Sequence, residues 1–278
     1  MHPVRTFLSL STLMAASVVQ AATPSASDVV DGMLRAAGGR AAFSELGVIQ
    51  LRADENETRS DGSTMSNTFE AWIDSGSLRN LRLEMPPEVV LARNNDTLWA
   101  QVAGAIDTRP QTPRQVDGTL NAKLFPLLLP FSLEMPGVIV GDSVAEASVE
   151  GRDTWRIGVT FRPYFFPTPT MNTVWYVHAD RRDGSYVATE FLPPVELRNV
   201  NDEGVRYRPL KHETHDGVKL TTQMLMDGLD FSWIPNGHVR VTKTEITTGG
   251  RFDPRLFFHP DRLDALEEDD IPLGPPSS

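Results

Sequence analysis

The chain has 278 residues, a formal net charge of −11, 40% hydrophobic residues and no cysteine. The apolar content is sufficient for a globular core. The negative charge argues against nucleic acid as a partner and against electrostatic docking on anionic lipid, because both require a basic surface. The lack of cysteine excludes disulfides, zinc sites built on thiolates and acylation at a lipoprotein cysteine.

The first 21 residues have the pattern of a secretory signal peptide. Arg5 provides the positive charge of the N-terminal region, residues 7–19 are mainly apolar, and Val19-Gln20-Ala21 fits a small-residue cleavage site. A transmembrane anchor is the alternative, but the apolar part is short and no stop-transfer pattern follows it. We therefore expect export to the periplasm without a lipid anchor.

The first element predicted after this signal is an amphipathic helix over residues 25–37. Ser25 and Asp28 have the spacing of a capping box, and apolar residues recur on one face at helical spacing. Gly38-Gly39 provides the stop.

Strands with short intervening turns follow the helix, as antiparallel hairpins require. They are predicted at residues 47–58, 64–74, 78–85, 89–93, 97–102, 138–149, 155–161, 173–179, 186–192, 205–214, 218–226 and 239–247. One face of most strands is apolar. In a sandwich two such faces meet, whereas an incompletely closed barrel surrounds an interior that helices or a ligand must fill. With no internal repeat or linker, residues 22–260 are predicted to form one mainly β domain, and residues 261–278 an acidic, proline-rich, disordered tail.

The densest apolar segment lies midway, at residues 120–133, and is called the central segment below. It is too short to span a bilayer, which needs ~20 apolar residues. Pro126 and Pro130 would break or kink a long helix. We expect two short helical pieces, which are either a fixed plug of the core or a movable lid over a cavity.

Large apolar side chains on this segment and in the strands are the candidates for lining a ligand cavity. They are Phe125, Leu128, Leu129, Phe131, Trp72, Trp99 and Trp175. Tryptophan in a sheet usually belongs to the core, so a filled interior is the alternative. Burial of each methylene of an acyl tail contributes ~0.8 kcal/mol, so a long tail needs little polar recognition.

No motif predicts catalysis. His212 and His215 are three residues apart, which on a strand places them on opposite faces and disfavours a shared metal. Ser63 and Ser75 lack the Gly-x-Ser-x-Gly frame of a hydrolase nucleophile. We predict no catalytic residue, no metal and no cofactor.

Several short sequence segments, taken in chain order, resemble those of a known superfamily. After the export signal come Ala36-Ala37-Gly38-Gly39, Val149-Glu150-Gly151-Arg152-Asp153-Thr154-Trp155, Trp175-Tyr176-Val177-His178-Ala179 and Phe252-Asp253-Pro254-Arg255-Leu256-Phe257. With the apolar insert between two runs of strands, this order resembles the periplasmic lipoprotein carriers LolA and LolB and their uncharacterised secreted relatives, over most of residues 25–260. The resemblance implies an unclosed barrel of about eleven antiparallel strands, wrapped around the N-terminal helix and the central insert. It also implies an apolar cavity for acyl chains. The longer second half, with the Tyr164-Phe165-Phe166-Pro167 loop, departs from the carriers.

Two functions from different classes follow. The first is periplasmic, non-covalent binding of a hydrophobic ligand, such as a lipid, an acyl chain or a lipoprotein, by a carrier or chaperone. The alternative is a non-enzymatic interaction module with a filled interior, which would bind an envelope protein through its outer face or acidic tail. The proline-broken insert favours the carrier, although a fixed plug would have the same sequence pattern.

We expect the mature protein to begin at about residue 22, because signal peptidase cleaves after a small-residue motif. Amino-terminal sequencing of protein recovered from the periplasmic fraction checks this. Recovery of Met1, or recovery only with membranes, would contradict it.

Overall fold

The computed structural model describes residues 23–59, 61–167, 173–191, 204–229 and 239–263. The predicted signal peptide and most of the predicted tail lie outside the described residues. The described helices are α1 Ala26–Ala36, α2 Arg40–Glu45, α3 Thr112–Leu124, α4 Pro254–Phe257 and α5 Pro260–Leu263, with a 3₁₀-helix at Phe131–Glu134. The described strands are β1 Val48–Thr58, β2 Thr64–Asp74, β3 Asn80–Met85, β4 Val89–Asn94, β5 Thr97–Val102, β6 Ala105–Ile106, β7 Val138–Val149, β8 Arg152–Phe161, β9 Trp175–Asp180, β10 Tyr186–Phe191, β11 Gly204–His215, β12 Val218–Leu229 and β13 Val239–Gly250.

These thirteen described strands form one antiparallel sheet in the order β6-β5-β4-β3-β2-β1-β13-β12-β11-β10-β9-β8-β7. The first six strands run outward from β1 to one edge. The chain then crosses through α3 to the opposite edge and returns strand by strand, so that β13 pairs with β1. The edge strands β6 and β7 do not pair with each other. The mainly β, unclosed antiparallel architecture is therefore confirmed, and the short strand β6 is an element that the sequence pattern did not predict.

Helix α1 forms where the sequence predicts it. The Ser25 hydroxyl accepts from the Asp28 amide at 3.1 Å, and the Asp28 carboxylate accepts from the Ser25 amide at 3.1 Å. The helix ends at Ala36, and two residues later a Cβ at Gly38 would lie 2.4 Å from the carbonyl oxygen of Gly217 in the β11–β12 turn. Beside it, the Lys219 amide donates to the Ala37 carbonyl at 2.9 Å. Glycine therefore allows the end of α1 to rest directly on the sheet.

The central segment is preceded by more helix than predicted. Helix α3 begins at Thr112, and residues 120–124 are only its last part. The earlier turns escaped prediction because they are largely polar and contain Gly118, which favours other conformations. After Leu124 the chain turns at Pro126 and Pro130 and enters the 3₁₀-helix, so the expected pair of helical pieces is present.

A buried ion pair attaches α3 to the sheet. Arg93 of β4 donates to Asp117 at 2.9 Å, to the Asn121 side-chain oxygen at 3.2 Å and to the Leu78 carbonyl at 3.1 Å. Burial lowers the pKa of Arg93, and Asp117 opposes this effect. Because arginine stays charged in proteins, its buried guanidinium requires the Asp117 carboxylate.

The same helix holds the loop that follows β8. The Asn121 side-chain amide donates to the Phe165 carbonyl at 2.8 Å, and Arg162 forms an ion pair with Asp117. A Cβ at Gly118 would lie 2.7 Å from the backbone nitrogen of Pro167. The loop therefore packs directly on α3, and this contact positions Phe165 and Phe166 for the interior.

We expect Asp117→Ala to lower the free energy of unfolding by ~3–5 kcal/mol, because it leaves the Arg93 guanidinium buried without its counter-ion. Urea unfolding measures the loss. Asp31→Ala is the matched control, since the Asp31–Arg40 pair is exposed and such pairs contribute at most ~1 kcal/mol. Equal losses in both variants would show that the buried pair does not hold α3.

Candidate ligand-binding site

The two faces of the sheet have different roles. The inner face carries the side chains that form the main core with α1 and α3, for example Phe69, Ala71 and Ile73 of β2. The outer face carries the alternating side chains, such as Glu70 and Trp72. A ligand cavity of the expected kind must therefore lie on the inner face.

Phe125 lies at the centre of an aromatic cluster on the inner face. Its ring meets the rings of its neighbours edge-to-face at 5.4–6.1 Å between centroids. Each such pair contributes ~0.5–1.5 kcal/mol beyond burial. The cluster comprises Phe125, Phe161, Phe165, Phe166, Trp175, Phe191 and Tyr207. Phe125 and Trp175, both candidates from the sequence, are thus brought together in a filled interior.

The other candidates on the central segment are also buried. Leu128, Leu129 and Phe131 are 3%, 4% and 1% exposed. Phe131 stacks on Phe43 of α2 with 4.0 Å between ring centroids, and the Ser132 hydroxyl donates to the Phe125 carbonyl at 2.7 Å. The segment therefore packs against α2 and is also held by a hydrogen bond within the segment itself.

Leu129 also borders a cleft of about 470 Å³ between α1, the central segment and strands β7, β8, β10, β11 and β12. This volume is within the ~300–1,000 Å³ typical of small-molecule sites. The wall on the helix side is apolar and consists of Met33, Ala36, Ala37, Leu129 and Pro130. The rim on the strand side is charged and contains Glu150, Arg152, Asp183, Arg208, His212 and Lys219. The cleft therefore suits a ligand with an apolar part and a polar part.

The charges of the rim are partly matched by one another. Arg208 pairs with Glu150 and, at 2.8 Å, with Asp227. Partial burial lowers the pKa of His212, and nearby Lys219 adds to this effect, so the imidazole is mainly uncharged at neutral pH. Burial raises the pKa of Tyr186, whose hydroxyl lies 3.0 Å from the Thr189 hydroxyl. Neither His212 nor Tyr186 adds charge to the site at neutral pH.

The structure separates Trp72 and Trp99 from the other candidates. The strand register places Trp72, Arg82, Ala92 and Trp99 directly opposite one another across β2–β5, on the outer face. They do not share the interior with Trp175. The sequence could not distinguish the faces, because apolar residues occupy both sides of these strands.

The cleft itself was not predicted. Met33 belongs to the buried face of α1, but nothing in the sequence relates it to Tyr186 or Arg208. These residues meet through strand pairing and through the return of the chain from the far edge, which are long-range features. A local pattern carries no sign of them.

The described residues contain no group of three or more His, Asp or Glu side chains placed to hold a metal ion. In the same part of the chain, no helix is long and apolar enough to cross a bilayer. The cleft offers apolar contacts on its helix side and polar contacts at its rim.

Comparison with solved structures shows a likeness in fold. The chain is similar to a LolA superfamily protein from Nitrosomonas europaea, with a TM-score of 0.57 and 11% identity over 88% of this chain and 100% of that one. It is also similar to a DUF1329 family protein from Desulfovibrio piger, with a TM-score of 0.53 and 12% identity over 88% and 100% of the two chains. No family model matches the sequence, and no curated protein matches it either. The predicted LolA-like fold is confirmed.

We expect Phe125→Ala to lower the free energy of unfolding by ~3–5 kcal/mol, because it leaves a cavity at the centre of the aromatic cluster. Chemical denaturation measures the change. Tyr164→Ala is the matched control, since the Tyr164 side chain is 52% exposed. Its ring forms a cation–π contact with Arg114, which contributes ~1 kcal/mol or less. A small loss at Phe125 would indicate an interior that readily rearranges.

Proposed function

We propose that this protein binds a hydrophobic ligand in the periplasm, without a covalent bond, as a carrier or chaperone. The ligand class is a lipid, an acyl chain or a lipid-bearing protein. The observation that supports this proposal is the position of the central segment, which fills the inner face of a LolA-like sheet and also forms a wall of the cleft through Leu129 and Pro130. No catalytic step is assigned.

The cleft is the entry site in this proposal. An acyl tail would first contact Met33, Ala36 and Leu129, and each buried methylene would contribute ~0.8 kcal/mol. The polar end of the ligand would remain at the charged rim. This division of the cleft supports an amphiphile rather than a plain hydrocarbon.

A longer tail requires residues 125–130 of the central segment to move while α3 keeps its place on the sheet. Between α3 and the 3₁₀-helix only a few backbone hydrogen bonds hold the segment, among them Leu128 amide to Leu124 carbonyl at 3.0 Å and Ser132 amide to Leu128 carbonyl at 3.2 Å. Displacing it does not unwind a long helix. The apolar side chains that leave the inner face would be replaced there by the tail, so apolar burial is exchanged rather than lost.

The second candidate is an envelope interaction module with a permanently filled interior. The closed packing of the aromatic cluster around Phe125 favours it. In that case the central segment is a fixed plug, and an envelope protein partner would bind elsewhere on the surface. The two functions differ in whether the wild-type protein takes up an acyl probe to saturation.

We expect the wild-type protein to bind a fluorescent fatty acyl probe saturably, and Ala36→Asp, at a half-buried position on the apolar wall of the cleft, to reduce the affinity at least ~10-fold, with a small loss of stability. The aspartate can face water in the cleft, where it opposes the apolar tail. Leu128→Asp should instead cost several kcal/mol of stability, ~3 or more, because Leu128 does not border the cleft and its charge would be buried without a partner.

Val102→Asp is the matched control, because Val102 is 44% exposed on β5, away from the cleft. It should change neither the probe affinity nor the melting temperature. Absence of saturable binding by the folded wild-type protein would refute the carrier and leave the interaction module.

A further inference from the structure

The inner face of β1 carries one charged side chain among apolar ones. Ile49, Leu51 and Ala53 of this strand belong to the main core, and the next residue on the same face is Glu55. Glu55 is only 5% exposed. A buried carboxylate at a position where the alternation calls for an apolar side chain costs stability unless it is paired. The groups around Glu55 therefore need a physical reason.

Two cations from different elements surround this carboxylate. Lys123, in the last turn of α3, forms an ion pair with Glu55. Arg240 of β13 lies 3.9 Å from the same carboxylate, and it donates to the Met226 sulfur, a weak acceptor, at 3.0 Å. Glu55, Lys123 and Arg240 are called the end cluster below. The cluster places three charges on the inner face, where the rest of the core is mainly apolar.

The end cluster and the cleft lie on opposite sides of the central segment. The cluster borders a space of about 20 Å³ together with Pro126 and Leu127, whereas Leu129 and Pro130 border the cleft. This space has room for little more than one water molecule, so it is not a ligand site by itself. Leu127 and Leu129 are two residues apart, which places their Cα atoms within ~7 Å of each other. Movement of residues 125–130 would therefore join the cleft and this space into one path.

The path has apolar walls from the cleft as far as Tyr207. Tyr207 stacks on Trp175 of the aromatic cluster, with 5.7 Å between ring centroids, and it also lines the small space beside the end cluster. An acyl tail that extends beyond Tyr207 would cover the charged groups. This removes water from them and offers no hydrogen bond in return, so the gain from each further methylene is cancelled.

We propose that the end cluster determines specificity for acyl tail length, because it closes the far end of the path that begins at the cleft. The inference rests on the proposed function, since it concerns how far a bound tail can reach along the inner face. Affinity increases with each methylene until the tail meets the cluster, and longer tails gain nothing more. The ligand class is thus an amphiphile whose tail has a defined maximum useful length.

A series of straight-chain fatty acids tests the limit. Acids with tails from ~8 to ~18 carbons compete against the fluorescent fatty acyl probe, and each buried methylene should raise the affinity about 4-fold. In the wild-type protein this increase should stop within the series, and the affinity should then stay level. The chain length at which it stops is the quantity to compare between variants.

Glu55→Leu combined with Lys123→Met should move this limit to longer chains. Replacing both partners of a buried ion pair by apolar residues is often neutral for stability, and the Arg240 head group can extend toward water. Short acids should bind as they do to the wild type. The longest acids should bind about 16-fold more tightly if two further methylenes are buried. A purely structural role of the ion pair would change all chain lengths alike.

Glu146→Leu combined with Arg181→Met is the matched control. It removes an ion pair with 3.2 Å between its charged atoms, whose two residues line neither the cleft nor the small space. The control should keep the wild-type limit. Circular dichroism verifies that each variant is folded. If the variant at Glu55 and Lys123 does not fold, Arg240→Met, which leaves their ion pair intact, should lengthen the limit instead.

The outcomes separate this inference from the proposed function. Absence of saturable binding at every chain length would refute the carrier itself. Saturable binding whose affinity keeps rising to the longest acid would refute the length limit and leave the carrier. A limit that stays at the same chain length in the folded end-cluster variant would also overturn the inference.

Discussion

The apolar inner face of an open sheet has to be covered, and this requirement explains most of the structure. In a closed barrel, side chains from all sides fill the interior. Here the edges do not meet, so helices must take the place of the missing wall. Helix α1 covers one part, and α3 with the central segment covers the rest. Phe125, at the centre of the aromatic cluster, is part of this cover, and the buried Arg93–Asp117 pair holds the helix that precedes it.

This requirement also relates the two candidate functions. A cover is needed whether or not the protein binds a ligand, because exposed apolar strands aggregate. A carrier needs a cover that a ligand can replace, whereas an interaction module needs one that stays. The buried polar contacts of Arg93 and Asn121 hold α3 itself, while the residues after Leu124 depend mainly on apolar packing. Apolar packing is not directional, so an acyl tail can substitute for it, but it cannot substitute for the ion pair.

Local patterns predicted the strands well, because alternation and turn residues act over a few positions. The capping box at Ser25 forms as expected, and the chain turns at Asp216-Gly217 between the predicted strands 205–214 and 218–226. The start of α3 was not predicted, because its first turns are polar and gain stability from the buried contact of Asp117. The face occupied by Trp99 was not predicted either. Leu98 and Ala100 contribute to the inner core while Trp99 packs outward, and no property of the three residues alone distinguishes the sides.

The candidate site was predictable only in part for the same reason. Phe125 and Trp175 are large, apolar and central, so their burial follows from composition. Their meeting depends on the order of strands, which brings Trp175 of β9 to Phe125, the residue that follows α3. The cleft depends on the close contact of Gly38 with Gly217. The two tryptophans at the outer face illustrate a further point. A sheet covered by helices on one side leaves the other side to water unless another segment covers it, and here α4 does so over Trp99. The protein thus has two apolar clusters on opposite faces of β2–β5, and a change in the outer one need not disturb the cover of the inner one.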